Sequence, residues 1–213
     1  PIYQAGHITF ENDDGDVVRT QVENSYMESY SSRYYAKLKD LERGVERHYG
    51  EITTVMLTLS ASNENANGGR RCPADHMREI AAGWDTARKQ LHQTLSGDTW
   101  QYARVWEPHK SGYGHMHVAV FVENREVSAG EFRPVLESYL SACGPAGRAA
   151  HTVENAVSVN DDVENLGTYI SEYIGIFGES AVERSMHEQA FYAVTWATGT
   201  RRVEFSNGEQ DIM

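Results

Sequence analysis

The sequence predicts an α+β protein built on a central antiparallel sheet with helices mainly on one face. Two β-prone runs, residues 52–59 and 100–123, are separated by a long stretch whose apolar residues recur at helical spacing. The second run is interrupted by a polar turn between Pro108 and Gly114, which folds its two halves back on each other antiparallel. No proline-rich or low-complexity linker divides the 213 residues. One domain over 1–213 is therefore expected, with an N-terminal strand and helix (1–50), a motif-bearing core (51–178) and a C-terminal helix and strands (179–213).

Taken in order, residues 8–19 read as short strands around Asn12-Asp-Asp-Gly-Asp16, a polar cluster that breaks regular structure. The cluster lacks the closing Glu of an EF-hand at the required spacing, which excludes that calcium loop. Residues 27–49 form a helix through the stripe Tyr34, Leu38, Leu41 and Val45. Residues 52–59, rich in β-branched and apolar types, make a central strand. The segment 60–71, SASNENANGGRR, is too polar and glycine-rich for regular structure; its terminal Arg70 and Arg71 are candidate DNA contacts.

Pro73 marks the start of a helix over 74–95, whose stripe is Met77, Ile80, Ala81, Trp84, Ala87, Leu91 and Leu95, closed by Gly97. After the hairpin, a helix beginning near Gly130 keeps Pro134 in its first turn, buries Phe132, Val135, Leu136, Tyr139 and Leu140, and ends before Gly144-Pro145. Residues 151–159 read as a strand. Asn160-Asp161-Asp162 supplies N-cap chemistry, with Glu164 three residues after Asp161, for a helix with core residues Val163, Leu166, Ile170, Ile174 and Phe177. Tyr169 and Tyr173 lie one turn apart on the edge of that stripe. A helix over 183–191 and strands over 192–196 and 201–205 complete the chain.

The chemistry concentrates in WEPHKSGYGHMHVAVFVE, residues 106–123. Side chains alternate along a strand, so His115 and His117 project from one face, and Met116, Val118 and Val120 from the other. The fold-back of the turn brings Glu107 beside them, giving a metal site of one oxygen and two nitrogens with positions left open for substrate. Such a metal next to a tyrosine hydroxyl suits phosphoryl transfer.

Composition bounds the partners. The net charge of −12 and pI near 5.2 have the wrong sign for binding nucleic acid through a bulk positive field, so any DNA contact is local. Lysine occurs only at Lys37, Lys39, Lys89 and Lys110, and arginine carries most of the positive charge; scarce lysine on an acidic chain suggests halophilic adaptation. Cys72 and Cys143 belong to no Cys-rich framework, and Cys72 with His76 lacks a second ligand pair for zinc. The chain carries no signal-peptide layout and no apolar run of the roughly 20 residues that span a bilayer, so a cytoplasmic location without membrane association is expected. It begins at Pro1 rather than Met, as a piece of a longer protein would.

His115-Met-His117 before an apolar strand, Glu107 on the paired strand and YISEYIG at 169–175 resemble the motifs of HUH endonucleases, in particular rolling-circle replication initiators (Rep proteins). The strand VMLTLS at 55–60 resembles the first motif of that family, and the three stand in the family's order across more than half of the chain. The acidic composition, RYYAKLKDLERGVERHYG and WATGTRR are similar to Rep proteins of haloarchaeal plasmids and viruses. The resemblance implies a tyrosine helix beside the metal, Mg²⁺ or Mn²⁺ on Glu107, His115 and His117, and Tyr173 and Tyr169 as nucleophiles that nick single-stranded DNA at a replication origin. Lys110 joins Arg70 and Arg71 as a candidate DNA contact. HUH transposases and relaxases share this chemistry, and a non-catalytic origin-binding module would share the fold. One departure is that the lysine common three residues after a motif tyrosine is replaced by Glu172 and Ile176. The chain has no Gly-x-x-x-x-Gly-Lys loop, so helicase action falls to the host replication machinery.

Overall fold

The computed structural model describes residues 6–21, 27–49, 51–123, 125–160 and 184–206. Its centre is a five-stranded antiparallel sheet in the order β6-β3-β5-β4-β7. These strands are β3 (Ile52–Leu59), β4 (Trp100–Pro108), β5 (Gly114–Glu123), β6 (Val157–Asn160) and β7 (Val203–Phe205). A separate hairpin pairs β1 (His7–Glu11) with β2 (Val17–Gln21) around the expected polar turn. There the Asn12 side-chain oxygen accepts the N–H groups of Asp14 and Asp16 at 3.1 and 2.7 Å.

The strand β5 sits at the middle of the sheet, and its alternation sorts two cores. Met116, Val118, Val120 and Val122 join Val55, Leu57, Leu59, Tyr102 and Trp106 on one face, under α2 (Pro73–Thr94) and α3 (Arg133–Ala142). The expected α2 stripe is buried there apart from the half-buried Ala81; on α3, Leu140 is likewise only half-buried. On the other face Ala119, Phe121, Met56, Ala103 and Val105 meet Leu41, Val45 and Tyr49 of and just beyond α1 (Glu28–His48). Two layers of helix thus sandwich the sheet, the larger on the Val118 face, which is the α+β arrangement expected.

Three local expectations are corrected. Residues 192–196 are not a strand but part of a helix, α5 (Met186–Ala197), that also contains the later part of the expected 183–191 helix. A capping box between Ser185 and Glu188 starts it, and Phe191, Tyr192 and Thr195 bury one face, so capping and packing override the β-propensity of Tyr-Ala-Val-Thr-Trp. Within 151–159 only Val157 onward is strand, preceded by a single helical turn, α4 (Val153–Ala156). The His151 ring and the Asn155 amide bind the carbonyls of Gly147 and Ala149 there, which holds the chain in a turn until it reaches the sheet. Asn160 pairs with Thr54 as the last residue of β6, and the expected cap at 161–162 and the expected tyrosine-bearing helix fall outside the described residues. The 201–205 strand is shorter, and a 3-10 turn over Ala129–Phe132 leads into α3.

Candidate metal centre

Register builds the site. The β4–β5 ladder sets Glu107 opposite His115 and Val105 opposite His117, while β3 sets Thr58 opposite His117 on the other side. Since Ala119 and Phe121 face α1, His115 and His117, an even number of residues earlier, face the same way. The turn between the strands is tied by the Gly112 N–H donating to the His109 carbonyl at 2.8 Å and the His109 N–H to that of Tyr113 at 2.7 Å. Gly112 has φ +82°, which a side chain would strain.

The three side chains converge as the sequence predicts. Glu107 Oε2 lies 3.2 Å from His115 Nε2 and 3.1 Å from His117 Nε2, and the two nitrogens are 2.9 Å apart. Donors held about 2.1 Å from one centre at right angles are about 3.0 Å apart, so these atoms fit one face of an octahedron and leave the opposite positions open. The surroundings also fit a cation. Buried Glu107 Oε1 and His115 Nδ1 have no hydrogen-bond partner among the described residues, although the buried Arg202 guanidinium lies within electrostatic reach of Glu107. Burial pushes the Glu107 carboxyl up, but hydrogen bonds from His115 and His117 outweigh it and hold the group below its ordinary range. His117 Nδ1 is 3.1 Å from Thr58 Oγ1, an outer contact that fixes the ring with Nε2 toward the centre.

The site opens to one side. Glu107 and His117 are 6% and 7% exposed, whereas the His115 side chain is 18% exposed and lines a cavity of about 350 Å³. Polar groups from Ser60, Asn63, Ser111 and Tyr113 line the same cavity. His109 stands 6.2 Å from His115, ring centre to ring centre. His76, at the back, is 1% exposed, with Nε2 2.9 Å from the Gly114 carbonyl and Nδ1 3.3 Å from that of Ser62; burial lowers its pKa. That histidine anchors the cavity wall and is not in the metal cluster.

The other expected contacts are dispersed. Arg70 is exposed and bridges Glu64 through its backbone, and Lys110 is exposed at the β4–β5 turn. Arg71 pairs with Glu79 of α2, and its carbonyl accepts the Tyr113 hydroxyl at 2.5 Å, so it ties the 60–71 loop to the rim of the cavity. Tyr169 and Tyr173 fall outside the described residues. Sequence reasoning does not single out Thr58 or His109: the first sits inside an apolar strand and the second in a turn, with no periodicity to mark either.

The fold and site define an α+β protein with a Glu-His-His candidate metal centre at the rim of an antiparallel sheet. Residues 3–213 match the family model described as "Putative rep protein (DUF1424)", and the chain belongs to that family. It is 37% identical over 222 residues to the "Uncharacterized 36 kDa protein" of Halobacterium salinarum, covering 97% of this chain and 70% of the relative. It is 35% identical to a protein of the same description from Halobacterium sp. (strain GN101), covering 93% of this chain and 67% of that one. No solved structure matches the chain.

Proposed function

We propose that this chain nicks and rejoins single-stranded DNA at a replication origin, through a covalent 5′-phosphotyrosine, to initiate rolling-circle replication. The observation that carries the reading is the convergence of Glu107, His115 and His117 beside a cavity that His115 lines, in a chain of a Rep-described family. A divalent ion, Mg²⁺ or Mn²⁺, held by these three would withdraw charge from the scissile phosphate. Imidazole donors also suit softer ions, so the metal is a question for titration.

The protein's own groups do the rest. Thr58 orients His117, and the hydroxyls of Ser60 and Ser111 offer hydrogen bonds to a phosphate or sugar entering beside His115. The nucleophile is a tyrosine hydroxyl: its oxygen bonds to phosphorus, the bond to the 3′-oxygen breaks, and the hydroxyl proton passes to that 3′-oxygen. Rejoining is the reverse, with a 3′-hydroxyl attacking the phosphotyrosine. Tyr173 is assigned the initiating cut and Tyr169 the second transfer, since two hydroxyls one helical turn apart can serve one phosphate in succession. No helix among the described residues is long and apolar enough to cross a membrane.

Incubation with a 5′- and 3′-labelled single-stranded origin oligonucleotide, Mn²⁺ and molar KCl tests this. A protein–DNA adduct carrying only the label from the 3′ side of the cut, lost in chelator and in the Tyr173→Phe/Tyr169→Phe double variant, is expected. Specific binding without adduct would instead identify an origin-binding module.

A further inference from the structure

Along the β7 edge of the sheet, from the Trp100 end of β4 to Arg201, which the β4–β7 register carries toward Glu107, a recess of about 890 Å³ opens between α1, the second half of α2 and the sheet edge. It exists because β7 pairs only with Ala103–Val105, so that β4 runs on past its neighbour. The uncovered end carries Trp100, which is half-buried and lines the recess. Its ring stacks on Tyr102 at 6.2 Å and 29° and meets His92 edge-on at 4.7 Å, an aromatic platform fixed from two sides.

Charge in the recess is not what the acidic chain predicts. Of its carboxylates, Asp98 is paired with Arg125 at 3.0 Å and Glu204 with Arg104 at 2.6 Å. Arg88 and Arg201 line the recess together with Asp85 and form no ion pair among the described residues. The result is a local excess of guanidinium beside a ring, on a chain of net charge −12. Cations without a platform would serve any anion, and a platform without cations an apolar ligand. Together they match a strand of bases and phosphates.

We propose that this recess holds a single-stranded stretch of DNA, with a base stacked on Trp100, a phosphate on Arg88, and a phosphate further along the sheet edge on Arg201. The inference rests on DNA being the substrate, and adds a second contact that sets which phosphate reaches the metal. Trp100 and Glu107 are seven residues apart on one strand, about 23 Å at about 3.3 Å per residue, and on opposite faces of the sheet, so a chain anchored on Trp100 reaches the metal by passing over the β4–β7 edge. A volume in the range of about 300–1,000 Å³ suits one or two nucleotides and not a duplex. Stacking also outlasts salt, whereas phosphate contacts weaken in it, so the ring carries more of the binding in concentrated salt.

The test is anisotropy of fluorescein-labelled (dT)20 titrated with the full chain over a KCl series. Arg88→Gln/Arg201→Gln should weaken binding about tenfold and lower the salt slope by about 1.4, the share of two phosphates on a single strand. Trp100→Leu should also lose about tenfold and Trp100→Phe less than threefold, as a stacking role requires. Melting curves separate a folding defect at Trp100, and the surface arginines supply an answer independent of it. Wild-type affinity and slope in the arginine double variant would overturn the proposal. Equal losses in Trp100→Leu and Trp100→Phe would overturn the stacking. Nicking assays on the same proteins separate the two readings: recess-dependent binding by a wild-type chain that never nicks with Mn²⁺ present would sink the catalytic reading alone, and nicking that ignores the recess variants would sink this one.

Discussion

Replacing Thr58 by Val tests whether the centre is a metal site built from outside its ligands. The exchange keeps the β-branched shape that β3 needs opposite His117 and removes only the hydroxyl, 3.1 Å from His117 Nδ1. Without it that ring can turn away from Glu107, and outer contacts of this kind are worth about 10- to 100-fold in metal affinity. A single neutral hydrogen bond contributes about 0.5–1.5 kcal/mol, which places the expected effect at the low end, about tenfold or about 1.4 kcal/mol. Calorimetric titration with Mn²⁺ at fixed KCl reads it directly, with Thr58→Ser as the variant that retains the hydroxyl. Nicking should recover in Thr58→Val at saturating Mn²⁺, because no ligand has been removed. Wild-type Mn²⁺ affinity in Thr58→Val, or equal weakening in Thr58→Ser, would refute the argument that this hydroxyl aims the imidazole.

Other outcomes follow from the same geometry. His115→Ala/His117→Ala should abolish Mn²⁺ binding in calorimetry and nicking on gels while the melting temperature without metal stays within a few degrees; retained nicking in chelator would remove the centre from the reaction. Gly83→Ala should destabilise, because a Cβ there would stand 2.6 Å from Tyr139 Cε2 and 2.9 Å from Cys143 Cβ where α2 meets α3. Overpacking of about 1–3 kcal/mol exceeds the helix-propensity gain of about 1 kcal/mol, and a lowered melting temperature with unchanged Mn²⁺ affinity would confirm it. Burial lowers the pKa of both His76 and His151, so the folded state keeps them neutral where the unfolded chain would take up protons. Their stability contribution is present above about pH 6.5 and lost as pH falls toward their depressed folded values, by at most about 1.4 kcal/mol per unit for each. Denaturant midpoints at stepped pH in wild type and His151→Gln should show the variant losing less on the acid side.

How much of the molecule is legible in its sequence depends on whether an element is specified by its own residues or by distant ones. The hairpin carries its register in a short turn and a strict alternation, so the convergence of Glu107, His115 and His117 follows from the sequence alone. The stripes of α1 and α2 are equally plain, since a face that packs on a sheet repeats in sequence. The segments that mislead are those whose local preference is overruled. Tyr192 to Trp196 is β-prone by composition, yet a capping box upstream and a partner for Phe191 and Tyr192 in the main core make it helix. His151 reads as a strand residue, but its ring accepts the Ser60 N–H at 3.0 Å and faces the Gly147 carbonyl at 2.8 Å, contacts to one segment far away in sequence and one near.

The same distinction explains how an acidic chain would hold the polyanion proposed as its substrate. Net charge is a sum over the sequence, whereas binding depends on which charges remain uncompensated at one place. Arg104 and Arg125 are spent on Glu204 and Asp98, and that pairing is what leaves Arg88 and Arg201 as a local excess in the recess. Toward the other end of β4, two imidazoles and one carboxylate form a candidate centre whose charge would be set by the ion it holds. In concentrated salt, where long-range fields decay within a few ångströms, contacts of this short-range kind keep their strength while the surface charge of −12 costs little. The acidic surface and the two local sites are therefore compatible, and nicking and (dT)20 binding should both persist in molar KCl.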